Sequence, residues 1–462
     1  MSGSPVYLDN NGSTLMPQGV IDTVTHWMNQ GNPSAEHASA RKARKMMDRF
    51  RQRLASQGNF ALSGPDAFDL VFTSGGSEGN CHVVTSAARA YSARTRELPH
   101  IITSAAEHKS LLACCRQLVR DNLAHLTVLP VRTAEGGQPA LVGTVDPEVL
   151  RAAIRPNTCL VTIMAANNET GAINDLRALA AVAHDSGVPF HSDAVQLFGK
   201  SALDPGALGL DAYTASFHKL HGPPGVGLLA IRRSFVAGYT LGPLVCGTQN
   251  SGLRGGTENL PGIAGAFAAY KLSVDSRGAK NQKMRQIRDG IQAALARRFP
   301  TVHISDYCEA RPRVPDGDPS TPDSSRVPGP PTTRKGAALA RKLDNAEMSD
   351  RPVLVWIGPS DRSRILPNTL FFSTLRAGAG GFCNRKARAA LEGEGVIVGT
   401  GSACNSTSGG ASHVLEALDV PPELWQGVLR VSLSDDTTPD DAAKFVAAFA
   451  RVAPSPEVLM EI

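Results

Sequence analysis

The stretch DAYTASFHKLHGPPGVGLL, residues 211–229, sets the fold of this chain. It begins with a short apolar run, closes that run on Ser216, Phe217, His218 and Lys219, and breaks on His-Gly-Pro-Pro-Gly before a second apolar run. An apolar run of this length bounded by turn residues reads as a buried strand. The same shape recurs upstream. DLVFTSGG (69–76), HIITSAAEH (100–108), CLVTIMAANNETG (159–171) and VPFHSDAVQ (188–196) each carry an apolar run into small or polar residues, and VGLLAIRR (226–233) adds one more strand. Helix-length segments lie between them at 108–121, 146–154 and 175–186. Strand, helix, strand at this rhythm predicts an α/β fold with a mainly parallel sheet covered by helices on both faces. Ligands of such sheets bind at the carboxyl ends of the strands, where the polar residues of these segments sit.

Those strand ends carry chemistry in combination. A lysine at a strand end in a cleft, Lys219, can form a Schiff base with an aldehyde cofactor. Taken alone it reads as a surface lysine, but HSDAVQ places Asp193 and Gln196 at another strand end. A carboxylate beside a pyridine nitrogen keeps that ring protonated, and an amide can bond a phenolic oxygen. In FTSGGSEGN (72–80) a strand runs into small residues at the start of a helix, so Gly76 and Ser77 form a predicted anion site suited to phosphate. His108 in SAAEHKS follows a strand and can stack on a flat ring or move protons. Asn168 in AANNETG is within reach of a cofactor or substrate at the same edge.

Composition bounds the rest. At 462 residues, two domains are expected. Hydrophobic residues make up 42% and charged residues 19%, as in an ordinary globular protein. No apolar run of about 18 residues suggests a membrane span. The start MSGSPVYLDNNGST has neither an apolar signal core nor an Arg-rich leader, so a cytoplasmic location is expected. Net charge is only +5, and the basic run from Arg41 to Arg53 reads as the solvated face of a helix, with no nucleic-acid partner. The 8 cysteines show no paired CxxC spacing, which argues against a zinc site or a disulfide framework, and most read as small buried hydrophobes. A long helical stretch is expected from about 259 to 299. Residues 309–350, dense in Pro, Ser, Asp and Gly, read as a disordered surface insertion. Order resumes at LPNTLFFSTL, with helices near 384–395 and 439–452. The expected layout is a large domain over 15–265 and a smaller α+β domain formed by 1–14 and 266–462.

The segments GNPSAEH, FTSGGSE, HIITSAAEHKSLL, ANNETGAI, HSDAVQLFGK, HKLHGPPGVG, LRGGTEN, LPNTLFFS and GTGSACNS together make the chain resemble the cysteine desulfurases and selenocysteine lyases. These are class-V relatives within the fold-type-I enzymes that use pyridoxal 5'-phosphate. The resemblance spans nearly the whole chain apart from the insertion. It implies Lys219 as the Schiff-base lysine, Asp193 on the ring nitrogen, Gln196 and Asn168 near the ring oxygen, and His108 stacked on the ring. It implies Gly76, Ser77, Ser216 and His218 around the phosphate, with Thr257 reaching the phosphate of a partner subunit in a homodimer. Arg430 would hold the substrate carboxylate, and Cys404 would take sulfur from L-cysteine or selenocysteine and pass it to an acceptor protein for iron–sulfur or tRNA thiolation chemistry. The residues around Cys404, all Gly, Ser, Thr, Asn or Ala from 399 to 411, predict an exposed loop in which a thiol is reactive.

The chain also departs from the family pattern. Phe217 stands where the family has glycine, so a ring is expected beside the phosphate, and LDNNGST, GTQNSGLRGG and SLSDD replace familiar runs. The implied reaction is conversion of L-cysteine to L-alanine with a persulfide on Cys404. Selenocysteine lyase is the near alternative, and a degenerate scaffold that binds partners without turnover is the distant one.

Overall fold

The computed structural model describes residues 4–64, 66–135, 137–311, 333–348, 351–376, 381–401 and 412–459. Strand β1 (Val6–Leu8) begins the chain, and a large sheet follows from β2 (Phe68–Thr73), β3 (His100–Ser104), β4 (His125–Leu129), β5 (Thr158–Thr162), β6 (Phe190–Asp193), β7 (Ala212–Ser216) and β8 (Gly227–Arg232). Its spatial order is β2-β8-β7-β6-β5-β3-β4. Every pairing from β7 through β6, β5 and β3 to β4 is parallel, whereas β8 runs antiparallel to both β7 and β2. The central strands β5 and β7 are buried along their whole length, as a sheet covered on both faces requires. Because β2 and β7 both oppose β8, the carboxyl ends of β2, β3, β5, β6 and β7 all emerge at one edge. The turn that reverses the chain into β8 needs a left-handed backbone at His221 (φ 66°) and Gly225 (φ 78°).

The strand edge β4 was not among the expected strands. Its residues His125, Leu126, Thr127 and Val128 are exposed or half-buried, so its alternation is weak and no apolar run marks it. The expected helix from 259 to 299 is two helices, Leu260–Val274 and Arg277–Ala296, broken where Ser276 turns left-handed at φ 61°. The first of these packs against the helices Gln18–Met28 and Ala38–Gly58. A boundary at 265 therefore cuts through a helix that lies on the large sheet's side of the molecule. The basic run 41–53 falls in the helix Ala38–Gly58, which buries Ala43, Met47, Phe50 and Leu54 and leaves most of its cations outward.

A second sheet collects β9 (Thr301–His303), β10 (Val353–Trp356), β11 (Thr369–Leu375) and β13 (Val428–Ser432) in the order β13-β11-β10-β9, while β12 (Val396–Val398) pairs in parallel with β1. The helices Arg277–Ala296 and Pro439–Val452 cover these strands, with Leu354, Phe372, Leu429, Phe445 and Phe449 in a shared core. The second helix starts with a complete capping box between Thr438 and Asp441.

The insertion needs a correction. Residues 312–332 lie outside the described residues, but Arg334–Met348 is a helix packed against Ile304–Ala310. Gly336, Ala340 and Leu343 make a stripe at helical spacing, and Leu343 is buried. Gly336 lies so close that an added Cβ would come within 2.9 Å of the Glu309 carbonyl oxygen. The Pro- and Ser-rich composition of the whole run masked a short stretch with good helix formers and an apolar face.

Candidate active site

The strand edge of the large sheet borders a cavity of ≈ 240 Å³. Ten of the residues singled out from the sequence line it: Gly76, Ser77, His108, Asn168, Asp193, Gln196, Ser216, His218, Lys219 and Arg430. Each arrives there for a local reason. Asp193 is the last residue of β6 and Ser216 the last of β7, with His218 and Lys219 in the single 3-10 turn beyond it. Gly76 and Ser77 begin the helix Gly76–Thr95, whose first N–H groups have no partner within the helix. The absence of a Cβ at Gly76 is structural, since one would lie 2.7 Å from Val195 Cγ2.

Hydrogen bonds fix the orientation of these groups. Asp193 Oδ2 accepts from Asn80 Nδ2 at 2.6 Å and Oδ1 from the Val195 amide at 3.0 Å, so the carboxylate cannot swing. Lys219 Nζ donates to the Asn11 carbonyl at 2.7 Å and to the Gly12 carbonyl at 2.5 Å. Gln196 Nε2 donates to the same Asn11 carbonyl at 3.0 Å, and its Oε1 accepts from Lys200 Nζ at 3.2 Å. His108 caps the helix Lys109–Arg120 by accepting the Ser110 amide at Nδ1. In the neutral ring the proton then sits on Nε2. His218 bonds Ser13 Oγ through Nδ1 at 3.1 Å, and burial together with the neighbouring Lys219 charge lowers its pKa to about 4. It is a neutral ring at physiological pH. Burial, with Lys219 and Arg430 nearby, likewise lowers Lys200 to about 7.

Arg430, on β13 of the second sheet, is only 2% exposed. Its guanidinium donates to the Asn168 carbonyl at 3.0 Å and to Asp9 Oδ1 at 2.6 Å, and Nε has no hydrogen-bond partner among the described residues. A buried guanidinium with a donor to spare at a cavity wall suits a carboxylate ligand.

Asn80, Asn11, Gly12 and Lys200 went unmarked in the sequence. One had a signal: Asn80 is four residues after Gly76 in the helix they share, the spacing that puts side chains on one face, whereas Lys200 reaches Gln196 through a turn. Asn11 and Gly12 had none, because they reach the site along a segment that leaves β1 and is held by Ser432. Buried Glu169, beside Asn168, accepts from Ser412 Oγ at 2.9 and 2.8 Å, and an added Cβ on Gly401 would lie 3.0 Å from its Oε2. Burial raises its pKa. Both described flanks of the segment 402–411 thus meet Glu169, the residue after the cavity-lining Asn168. Cys404 itself lies outside the described residues.

Thr257, expected at a partner subunit's phosphate, is exposed and does not line this chain's own cavity. One expectation ends differently. Phe217 is not beside the anion site. It is fully buried, with ring centroids 5.5 Å from Phe50 and 5.9 Å from Phe198, in the core behind the sheet. The 3-10 turn carries successive side chains to different sides, so His218 and Lys219 face the cavity while Phe217 faces away.

The class-V aminotransferase family model matches residues 6–304. A cysteine desulfurase IscS of Dictyoglomus turgidum is 31% identical over 439 residues, covering 94% of this chain and 91% of that protein. The chain belongs to the class-V aminotransferase family, among the cysteine desulfurases. Solved structures superpose on most of the chain. A NifS-like protein matches with a TM-score of 0.73 at 25% identity, covering 97% of this chain and 99% of its own. A structure titled SspA in complex with cysteine matches at 0.64 and 26% identity, covering 94% and 99%. The mainly parallel sheet with its smaller neighbour is therefore the class-V fold. Among the described residues no helix is long and apolar enough to cross a membrane.

Proposed function

We propose that this chain is a pyridoxal-phosphate-dependent cysteine desulfurase that converts L-cysteine to L-alanine and carries the released sulfur as a persulfide on Cys404. The observation that carries this reading is the meeting of Lys219, Asp193, Gln196, His108 and the helix start at Gly76 and Ser77 around one cavity. The donor set fits the cofactor: an amine, a fixed carboxylate, an amide, a ring, and a helix N-terminus whose Gly76 leaves no room for a Cβ. When bound, pyridoxal phosphate supplies an electron-withdrawing ring that stabilises the charge left as a substrate Cα loses its proton.

The protein's own groups then have distinct tasks. Asp193, locked by Asn80 and Val195, holds a proton on the ring nitrogen. Lys219 would hold the cofactor and would serve as the base for the substrate's α-proton, with the Asn11 and Gly12 carbonyls orienting Nζ. Gly76, Ser77, Ser216 and neutral His218 would hold the phosphate, Gln196 and Asn168 the ring oxygen, and His108, with its proton at Nε2, the face of the ring. Arg430 takes the substrate carboxylate. The Cys404 thiolate accepts sulfur and passes it to an acceptor protein. Exposed Thr257 completes the phosphate site of a second subunit, so the working form is a homodimer. The buried position of Phe217 removes the main reason for reading the chain as an inactive scaffold.

The test is direct. Wild type should form alanine from L-cysteine and gain a persulfide by intact mass, while Cys404→Ser binds cofactor and cysteine but forms neither product. Alanine production by the serine variant at the wild-type rate would sink the desulfurase reading.

A further inference from the structure

The two helices that begin at the cavity, Gly76–Thr95 and Lys109–Arg120, pack against each other just beyond it. Their contact contains thiols that the proposed reaction does not use. On the first helix Cys81 follows Asn80, and Thr85 stands one turn later on the same face. From the second helix the Cys114 Sγ lies 3.7 Å from Thr85 Oγ1, one turn from Cys81 on that face, so the Cys81 and Cys114 thiols are neighbours across the helix contact and influence each other's ionisation. Both Cys81 and Cys114 are partly exposed, whereas Cys115, Cys159, Cys308 and Cys383 are buried. Burial pushes the thiol of Cys159 up to about 12, as expected of an inert core cysteine. Cys246 is exposed on a separate segment.

We propose that Cys81 and Cys114 form a dithiol site that small-molecule disulfides oxidise reversibly to an intramolecular disulfide. Two helices hold the sulfurs together, so the second thiol is present at high effective concentration once the first has reacted. Cys114 is the attacking group. Interaction with Cys81 favours its thiolate against the opposing effect of burial, and Thr85, 3.7 Å away, adds to the lowering of its pKa. The same interaction raises Cys81. A thiol shifted toward its thiolate is the better attacking group. The Cys114 thiolate attacks one sulfur of a disulfide RSSR, the S–S bond breaks, and RS⁻ leaves and takes up a proton. Cys81 then loses its proton to solvent and attacks the Cys114 sulfur of the mixed disulfide, expelling the second RS⁻. Two protein thiols are oxidised by two electrons, and RSSR is reduced to two RSH. The bond would tie the helix that begins at Gly76 and Ser77 to the helix capped by His108, two elements whose first residues line the cavity.

The experiment treats the purified full chain with oxidised glutathione, blocks remaining thiols with N-ethylmaleimide, and maps unreduced peptides by mass spectrometry. The expected result is a cross-linked peptide pair joining Cys81 to Cys114, with loss of both alkylated forms, reversed by dithiothreitol. Cys81→Ser should stop at the glutathione adduct on Cys114, and Cys114→Ser should give neither adduct nor cross-link. The wild-type map decides the matter even if a variant folds poorly. Recovery of both cysteines fully alkylated at a glutathione concentration that modifies Cys246 would overturn the proposal, as would a cross-link from either to another cysteine.

Discussion

The floor and the rim of the cavity are built in opposite ways. The floor comes from consecutive strand ends of one sheet, so Gly76, His108, Asn168, Asp193 and Lys219 follow one another along the chain at the spacing of strand-and-helix units. The rim is assembled from the two ends of the chain. Asp9 and Arg430, 421 residues apart, pair across it, and Asn11 and Gly12 reach over to hold Lys219. The difference shows which groups tolerate change. A floor residue is fixed by a short, buried strand behind it, whereas a rim residue depends on how the second sheet docks on the first.

The hardest test of the floor is Lys219→Ala. It should cut alanine formation by about 10³-fold or more, since it removes both the cofactor anchor and a positioned base. In wild type, borohydride reduction and peptide mapping should place the pyridoxyl group on Lys219, and labelling of another lysine would contradict the assignment. On the rim, Arg430→Ala should raise KM for cysteine by roughly 30-fold while cofactor absorbance stays, as loss of about 2 kcal/mol from a charge-assisted contact implies. Loss of the cofactor instead would make Arg430 part of the floor. A smaller effect is expected from Asn80→Ala, which leaves Asp193 with the Val195 amide alone. Removing one hydrogen bond to a charged group corresponds to roughly a tenfold fall in kcat, with KM little changed; an equal rise in KM would show that Asn80 serves binding.

The smallest effect sharpens the comparison at the junction itself. His221 Nε2 and Asp435 Oδ1 are 2.7 Å apart, with Lys280 on the other carboxylate oxygen, and they join the turn after Lys219 to the second sheet's side. Burial opposes charge on His221, but the Asp435 carboxylate outweighs it and raises the pKa above the ordinary 6.5. Burial similarly opposes charge on Asp435, and His221 and Lys280 outweigh it, holding that carboxyl well below the ordinary 3.8. The histidine's contribution to stability is complete below 6.5 and is lost as pH rises through its raised pKa. The aspartate's is complete above 3.8 and is lost as pH falls through its lowered pKa. Asp435→Asn should therefore cost about 1 kcal/mol, most of it between those two values, as read by denaturant unfolding across pH. A stability difference that does not change with pH would show that the pair is not ionised.

The strands and helices of the large sheet were legible because each is a buried apolar run or a helical period that its own residues announce. Lys219, Asp193 and His108 were legible for the same reason, as polar groups set at the ends of such runs. Phe217 was misplaced because a position in a motif does not reveal which way a 3-10 turn points its side chain. The helix Arg334–Met348 was hidden by the composition around it, and β4 by the exposed residues of an edge strand.

What the sequence determined by itself was the order of most elements of the large sheet, the polar groups set at its strand ends and, through its motifs, the family. Periodicity and turn residues act over a few positions, and a parallel sheet converts that local order directly into a row of neighbouring strand ends. Only the tertiary structure decided that the Asn11 and Gly12 carbonyls orient Lys219, that Asp9 shares Arg430, that Asn80 holds Asp193, and that Cys81 meets Cys114. These contacts join segments far apart in the chain, and what selects them is the docking of buried surfaces against one another, a property of the packed whole that no local pattern encodes.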